Sequence, residues 1–371
     1  MDKLLQQRVD RIFDNIEDKE VSHIIIKNGN EPFVDQTFFY LTKVTSGIFE
    51  QSYVIADRDS KITLVTSILE EESARKTDLN IEIYKTKKEK NKILESVIKN
   101  TKKIGFNSTE IDVESYMDLK KQFRGTKFVN ISDAIKNARM VKDKEEISNI
   151  EKAAKMASLT FKDIKNSISE DKNANESSLS ALITYSMMKN GASGPSFDTI
   201  CAMGKNSAEP HYTPHHNKLK KGDLILCDYG AKYNHYCSDI TRTFAFHADR
   251  KMEEIYEIVL NAQKEAIKHI KNGVKSSDIH RIASDIIDKS IYKGRFIHGL
   301  GHSLGLSVHD GFGVGPSSKI VLEENMVITV EPGIYVPGIG GVRIEDDVVV
   351  TKNGCRIITD APKNWKDISI T

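Results

Sequence analysis

The stretch GDLILCDYGAKYNHYCSDITRTFAF (Gly222 to Phe246) restricts the fold most, because it sets acids among core-forming residues. Side chains alternate along a strand, so in DLILCDYG the residues Leu224, Leu226 and Asp228 share one face. In the following strand Asp239, Thr241 and Thr243 share a face, and AKYN between the two supplies a turn. A hairpin of this kind sets Asp228 and Asp239 across from each other. Two carboxylates facing one another in an apolar sheet repel, and the pair is costly unless a proton or a cation lies between them. Taken alone, Asp228 reads more often as a turn cap at a strand end. Two further acids repeat the theme. MVITVEPGIYV is a β-branched strand that runs into Glu331, Pro332 and Gly333. In GGVRIEDDVVV, Val342, Ile344 and Asp346 occupy one face, and Arg343, Glu345 and Asp347 the other. One of these faces must carry charge into the protein, unless the charges are solvated at a sheet edge or bind cations.

A second cluster is HGLGHSLGLSVHD, in which His298, His302 and His309 are spaced four and then seven apart. A lone histidine is usually a satisfied core or surface residue, and clustering shifts that only modestly. Four inward carboxylates leave one divalent ion under-neutralised, whereas two ions balance them. Oxygen-rich sites with a single imidazole suit Mn²⁺ or Co²⁺, with Zn²⁺ as a further choice. Two ions suit hydrolysis of an amide. The residues therefore point to a dinuclear carboxylate hydrolase and leave open which histidine is a ligand.

At 371 residues the chain has room for two or three domains. Its net charge of +1 gives no electrostatic reason to expect nucleic acid or an anionic membrane as partner. The basic run KTKKEKNK is interleaved with Glu89 and reads as a solvated turn and helix start. The four cysteines show no CxxC spacing, so free thiols in a reducing cytoplasm are expected. The N-terminal stretch is a charged amphipathic helix without an export signal, and no apolar run is long enough to span a bilayer. Strands SHIIIKN, SYVIAD, KITLVT, NIEIYK, KIGFN and KFVNIS alternate with helices at 4–16, ILEEESARK, 91–99 and 113–123. That is an α/β domain over residues 1–138, without a Gly-rich phosphate loop. Residues 139–371 carry longer helices (144–167, 176–190, 250–271, 277–289) between antiparallel strands, which makes the whole α+β.

SFDTICAMGKNSAEPHYTP, LILCDYGAKYNHYCSDITRTF, HGLGHSLGLSVHD, ITVEPGIYV and GGVRIEDDVVV, in this order, resemble the proline-directed metallopeptidases of the pita-bread fold, aminopeptidase P and prolidase. The resemblance implies a C-terminal pita-bread (creatinase/aminopeptidase-like) catalytic domain after a smaller creatinase-like α/β domain. It implies two divalent ions, Mn²⁺ first, with Co²⁺ or Zn²⁺ as alternatives. Their ligands are Asp228, Asp239, His302, Glu331 and Glu345, with Asp239 and Glu345 bridging. Glu331 matches the family's proton shuttle, and Arg343 an arginine that supports the metal carboxylates. His298, His309 and, in EPHYTP, His211 match substrate histidines, with His211 and His309 close to the reacting bond. Leu304, Leu306 and Tyr212 complete the expected proline wall, whereas His215, His216 and His235 match no catalytic position. The expected substrate is a peptide with proline in second place, cut by a cytoplasmic homodimer. Whether it takes dipeptides or longer peptides stays open. Rival readings are a methionine aminopeptidase, which usually lacks such an N-terminal domain; a creatinase-like amidinohydrolase, which lacks the metal set; and a non-enzymatic pita-bread module, which typically loses ligands.

Overall fold

Ile24, Ile25 and Ile26 are all buried, so the strand they form is covered on both faces. It is central in a six-stranded sheet, as such unbroken apolar runs require. The structure is a computed structural model describing residues 2–99, 101–171 and 173–371. They fall into two compact units, dividing between Arg139 and Met140.

The first unit runs α1 (Lys3–Asn15), β1 (His23–Asn28), α2 (Gln36–Thr42), β2 (Ser52–Asp57), β3 (Ile62–Ser67), α3 (Glu71–Ala74), β4 (Asn80–Tyr84), α4 (Lys87–Val97), β5 (Lys103–Phe106), α5 (Val113–Gln122), β6 (Lys127–Asn130) and α6 (Ser132–Met140). The sheet order is β4-β3-β2-β1-β5-β6. Only β2 runs against its neighbours; β3–β4, β1–β5 and β5–β6 are parallel. Helix α1 buries Leu5, Val9, Ile12 and Phe13, a single face at helical spacing. Two elements depart from the sequence reading. Helix α2 was not expected from TFFYLT, whose aromatic and β-branched residues favour strands. Asp35 caps it by accepting the Thr37 N–H, and complete burial of Thr37 through Thr42 outweighs propensity. The segment ILEEESARK forms only a 3₁₀ turn (Ile68–Glu70) and the short α3, with Ala74 the sole buried residue in α3.

The second unit runs α7 (Lys144–Glu170), α8 (Glu176–Lys189), β7 (Gly194–Pro195), β8 (Ile200–Met203), β9 (Leu224–Tyr229), β10 (Ala231–Tyr233), β11 (Tyr236–Cys237), β12 (Ile240–Phe246), α9 (Arg250–His269), α10 (Ser276–Asp288), β13 (Gly301–His302), β14 (Gly313–Val314), β15 (Val327–Val330), β16 (Gly333–Val336), β17 (Gly340–Arg343), β18 (Asp346–Val350), β19 (Cys355–Ile357), α11 (Trp365–Ile368) and β20 (Ser369–Ile370). Asp143 and Glu146 close a capping box at the start of α7, where the sequence pauses before restarting with acids. The main sheet is β20-β12-β9-β8. Its apolar side meets α7 through Phe161 and Phe244, whose rings lie 5.1 Å apart. Helix α10 buries Ile279, Ala283 and Ile287 at every fourth position.

The acid strand forms one long antiparallel hairpin with a gap. Val330 pairs with Asp346 in β15–β18, and Gly333 pairs with Arg343 in β16–β17. Two residues lie between these pairs on each strand, so the register continues through the gap. Pro332 has no N–H to donate, which interrupts the ladder there. Glu331 and Glu345 fall at the break, facing positions in the carried-through register. The sequence reading required one face of GGVRIEDDVVV to carry charge inward; both do. Arg343, Glu345, Asp346 and Asp347 are all buried.

Arg242 makes this tolerable from behind. It is fully buried and uses all five guanidinium donors. Nη1 donates to the carbonyls of Thr241 (3.0 Å) and Glu345 (2.5 Å). Nη2 donates to Asp346 Oδ1 (2.7 Å) and the Ala361 carbonyl (2.8 Å), and Nε to the Pro362 carbonyl (3.1 Å). Lys363 holds the other Asp346 oxygen. Removing one partner of a buried pair strands the other charge, so Arg242→Met is expected to lower stability by about 3–5 kcal/mol in urea unfolding. Arg242→Lys is expected to recover only part of this, since an ammonium has three donors and no planar fork.

Candidate metal centre

In the β9–β12 ladder Asp228 pairs with Thr241, and Tyr229 with Ile240. Asp239 therefore lies just before β12, offset by two residues from Asp228. The sequence had placed the two directly opposite; the turn is longer because β10 and β11 form a small hairpin between them. A Cβ built at Gly230 would lie 1.9 Å from the Ser238 carbonyl oxygen, so only glycine lets the backbone approach this closely. The strand containing Glu345 reaches the same point from the side. Glu345 N–H donates to the Thr241 carbonyl (3.1 Å), and the Thr241 hydroxyl donates to Glu345 Oε2 (2.6 Å). Asp347 Oδ2 accepts the Asp239 N–H at 2.9 Å.

His302 arrives on the two-residue strand β13. Gly301 beside it packs so closely that an added Cβ would meet the Thr329 carbonyl oxygen at 2.1 Å. The Thr329 hydroxyl links this strand to the acids, accepting the His302 N–H (3.0 Å) and donating to Glu331 Oε1 (3.2 Å). His302 Nδ1 lies 3.3 Å from the Ser303 carbonyl. That contact fits a proton on Nδ1 and leaves the Nε2 lone pair facing inward. Nε2 is 3.5 Å from both Asp239 Oδ2 and Glu331 Oε1. Ligand atoms of Asp239, His302 and Glu345 all lie within 4.8 Å of one another.

The electrostatics of this cluster are severe for a protein without ions. Burial first, and neighbouring carboxylates next, push Asp239 and Glu345 well above the usual carboxylate range. Burial, the largest cause, pushes Glu331 up to about 8. Burial lowers His302 and His298 to about 4, which keeps both imidazoles neutral. Among the described residues, Asp228 Oδ1, Asp239 Oδ1 and Asp347 Oδ1 are buried oxygens without a hydrogen-bond partner. Oxygens left bare beside a neutral imidazole fit divalent cations.

One cavity of about 460 Å³ contains nine of the twelve residues singled out from the sequence: His211, Asp228, Asp239, His298, His302, His309, Glu331, Arg343 and Glu345. Phe197, Ile200, Val308 and Val314 give it an apolar side that the sequence reading missed. Tyr212 does not line it: its hydroxyl donates to Glu176 Oε2 at 2.8 Å. Leu304 and Leu306 are buried in the core, outside the lining. The His302 and His309 rings meet edge to face, 4.2 Å between centroids. Tyr335, also not anticipated, ties two groups together. Its hydroxyl lies 2.8 Å from His298 Nε2 and accepts Arg343 Nη1 at 2.8 Å. Arg343 Nη2 then donates to Asp228 Oδ2 at 2.5 Å, and Nε to the Thr241 hydroxyl at 3.1 Å. The alternation of GIYV places Tyr335 on the face of Gly333, the partner of Arg343, which is the one signal that could have revealed it.

Residues 148–352 match metallopeptidase family M24, and residues 8–141 match the creatinase/prolidase N-terminal domain. The chain belongs to this family: it is a metallo-exopeptidase with a pita-bread catalytic domain after a creatinase-type α/β domain. Among its relatives, the Xaa-Pro dipeptidase of Pyrococcus furiosus is 38% identical over 96% of this chain and 98% of its own. The crystal structure of X-Pro aminopeptidase from Thermotoga maritima MSB8 is similar at a TM-score of 0.87 and 32% identity, covering 93% of this chain and 97% of that one. The structure of prolidase from Pyrococcus furiosus gives 0.83 and 36%, covering 94% and 99%. A divalent metal follows from the family.

Ions that bind only the folded state add RT ln(1 + [L]/Kd) to stability, about 2.7 kcal/mol at a hundredfold excess over Kd. Dialysis against a chelator is therefore expected to lower the melting temperature by several degrees, and a divalent salt to restore it. Calorimetry before and after chelation makes the measurement.

Proposed function

We propose that this protein hydrolyses the peptide bond between an N-terminal residue and a following proline. The observation that carries the reading is the set of bare, buried carboxylate oxygens beside His302, on the wall of a cavity with an apolar side and three further histidines. The names of the relatives, Xaa-Pro dipeptidase, X-Pro aminopeptidase and prolidase, support the substrate class. In this reading Asp228, Asp239, His302, Glu331 and Glu345 would hold two divalent ions, Asp239 and Glu345 being the residues that would serve both. Mn²⁺ is the first choice for so oxygen-rich a set, ahead of Co²⁺ or Zn²⁺. Bound there, the pair polarises the scissile carbonyl and acidifies a water for attack.

The protein's own groups do the rest. Glu331 accepts a proton from the attacking water and passes it to the departing prolyl nitrogen, steadied by the Thr329 hydroxyl. That nitrogen carries no hydrogen in the peptide, so the proton relayed from the water by Glu331 is the one that makes it a neutral secondary amine as it leaves. His309 and His211 donate to the peptide oxygen and the substrate carboxylate. His298, fixed by Tyr335, closes on the proline ring together with Phe197, Ile200 and Val314. The free α-amine of the first residue is drawn to the carboxylate cluster, which an internal residue cannot match. Arg343 holds the Asp228 carboxylate in place through its Nη2. The same reading places the enzyme in the cytoplasm as a homodimer, in keeping with four free thiols.

Two variants separate metal binding from chemistry. Asp239→Ala is expected to lose at least one ion per chain by elemental analysis. Glu331→Gln is expected to lose less metal and yet slow turnover by roughly 10²–10⁴-fold. A Glu331→Gln enzyme with verified metal and near-normal turnover would remove Glu331 from proton transfer.

A substrate panel tests the proline assignment. With Mn²⁺ supplied, Ala-Pro and Ala-Pro-Ala are expected to be cleaved faster than Ala-Ala and Met-Ala-Ala. His309→Ala should lower kcat/KM for the proline peptides, by on the order of 1–3 kcal/mol, with metal content unchanged. Equal or faster cleavage of the peptides without proline would favour the methionine aminopeptidase reading instead.

A further inference from the structure

We propose that Glu176, which bonds to the 203–217 segment and does not line the cavity, is a positioning residue that sets His211 for substrate. The proposal rests on the reading that His211 binds the Xaa-Pro peptide. Glu176 is the first residue of α8 and is fully buried. Its carboxylate accepts five hydrogen bonds, all from the 203–217 segment. Oε1 accepts the Met203 N–H (2.9 Å) and Asn206 Nδ2 (2.9 Å). Oε2 accepts the Tyr212 hydroxyl (2.8 Å), the His215 N–H (3.2 Å) and Asn217 Nδ2 (3.0 Å). The five donors are neutral N–H and O–H groups, and the carboxyl lies at the positive end of α8. In return, Glu176 N–H donates to the Asn217 carbonyl and Ser177 N–H to the His215 carbonyl.

The segment gripped in this way has little order of its own. It contains one 3₁₀ turn (Gly204–Ala208), and His211, Thr213, His215 and His216 are exposed. His211 is bracketed by the two residues beside it. The Pro210 carbonyl accepts from Arg343 Nη1 at 3.4 Å, the guanidinium that also holds Asp228. On its other side, Tyr212 is tied to Glu176. Asn206 and Asn217 also donate to the Tyr212 hydroxyl, each at 3.0 Å, which locks the ring. His211 is thus held between a clamp on the cavity side and a clamp beneath, and its ring is presented to the cavity.

Glu176→Gln keeps the shape but replaces one acceptor oxygen by an amide donor, so one of the two sets of donors is left facing a donor. The expected result is a KM for Ala-Pro raised about tenfold, with kcat within about twofold and metal content full. Partial unfolding acts differently, lowering apparent kcat with the active fraction and leaving KM alone. In a His211→Ala background the same substitution is expected to change KM by less than about twofold, because the residue it positions is gone. Tyr212→Phe removes a single donor and is expected to raise KM in the same direction by less; it carries the test should Glu176→Gln fail to fold. Hydrogen exchange gives a readout free of activity: the Met203 and His215 amides are expected to exchange faster in Glu176→Gln, with β9 and β12 unchanged. An unchanged KM, or effects of Glu176→Gln and His211→Ala that simply add, would overturn the proposal. A wild-type enzyme that leaves Ala-Pro intact would instead count against the proline assignment, and unchanged exchange would still refute the anchorage.

Discussion

Asp228, Asp239, Glu331 and Glu345 crowd into one buried space, and their mutual repulsion is the condition to which the second unit is built. At about 4 Å two like charges in a poorly solvated site oppose each other by several kcal/mol. The chain answers with cationic counterweights placed outside the cluster. Arg343 takes Asp228 from one side. Arg242 takes Asp346 and the Glu345 backbone from behind, with Lys363 closing the remaining Asp346 oxygen. Neither arginine faces the oxygens left bare on Asp228 and Asp239. The protein thus neutralises the periphery of the cluster and leaves oxygens bare at its centre.

Much of this was legible in the sequence, for a stated reason. Strand alternation puts Asp228 on the face of Leu224 and Leu226, and the anomaly gains weight only when Asp239, Glu331 and the acids of GGVRIEDDVVV repeat it. The start of α7 was legible too: Glu145 and Glu146 put acids in its first turn, as a helix N-terminus prefers. What escaped depends on contacts between distant segments. Strand β13 is only two residues long, so no periodicity distinguishes His302 from its neighbours in HGLGHSLGLSVHD; the motif resemblance did that. Tyr335 reaches back 37 residues to His298, and Tyr212 is turned by Glu176, 36 residues earlier. Helix α2 follows from burial of an aromatic run that local propensity would make a strand.

The gap in the acid hairpin shows how one residue type does two things. Pro332 cannot extend the ladder, and its place there frees Glu331 from the regular pleat while Ile344 and Glu345 cross opposite it. Side chains at an interrupted ladder are not bound to strict alternation. Both strands can then turn a carboxylate toward the same centre, as an unbroken pair of strands would do only in fixed register.

The site is also ordered in time. Thr241 meets Glu345 across 104 residues, and Asp239 meets Asp347 across 108. A chain emerging from the ribosome carries its first two aspartates long before the strand that completes their surroundings. Contacts this distant in sequence form late, since loop closure must precede them. The carboxylate cluster is therefore a product of long-range folding rather than of any local segment, and its parts meet only when residues 345–347 join the β9–β12 pair.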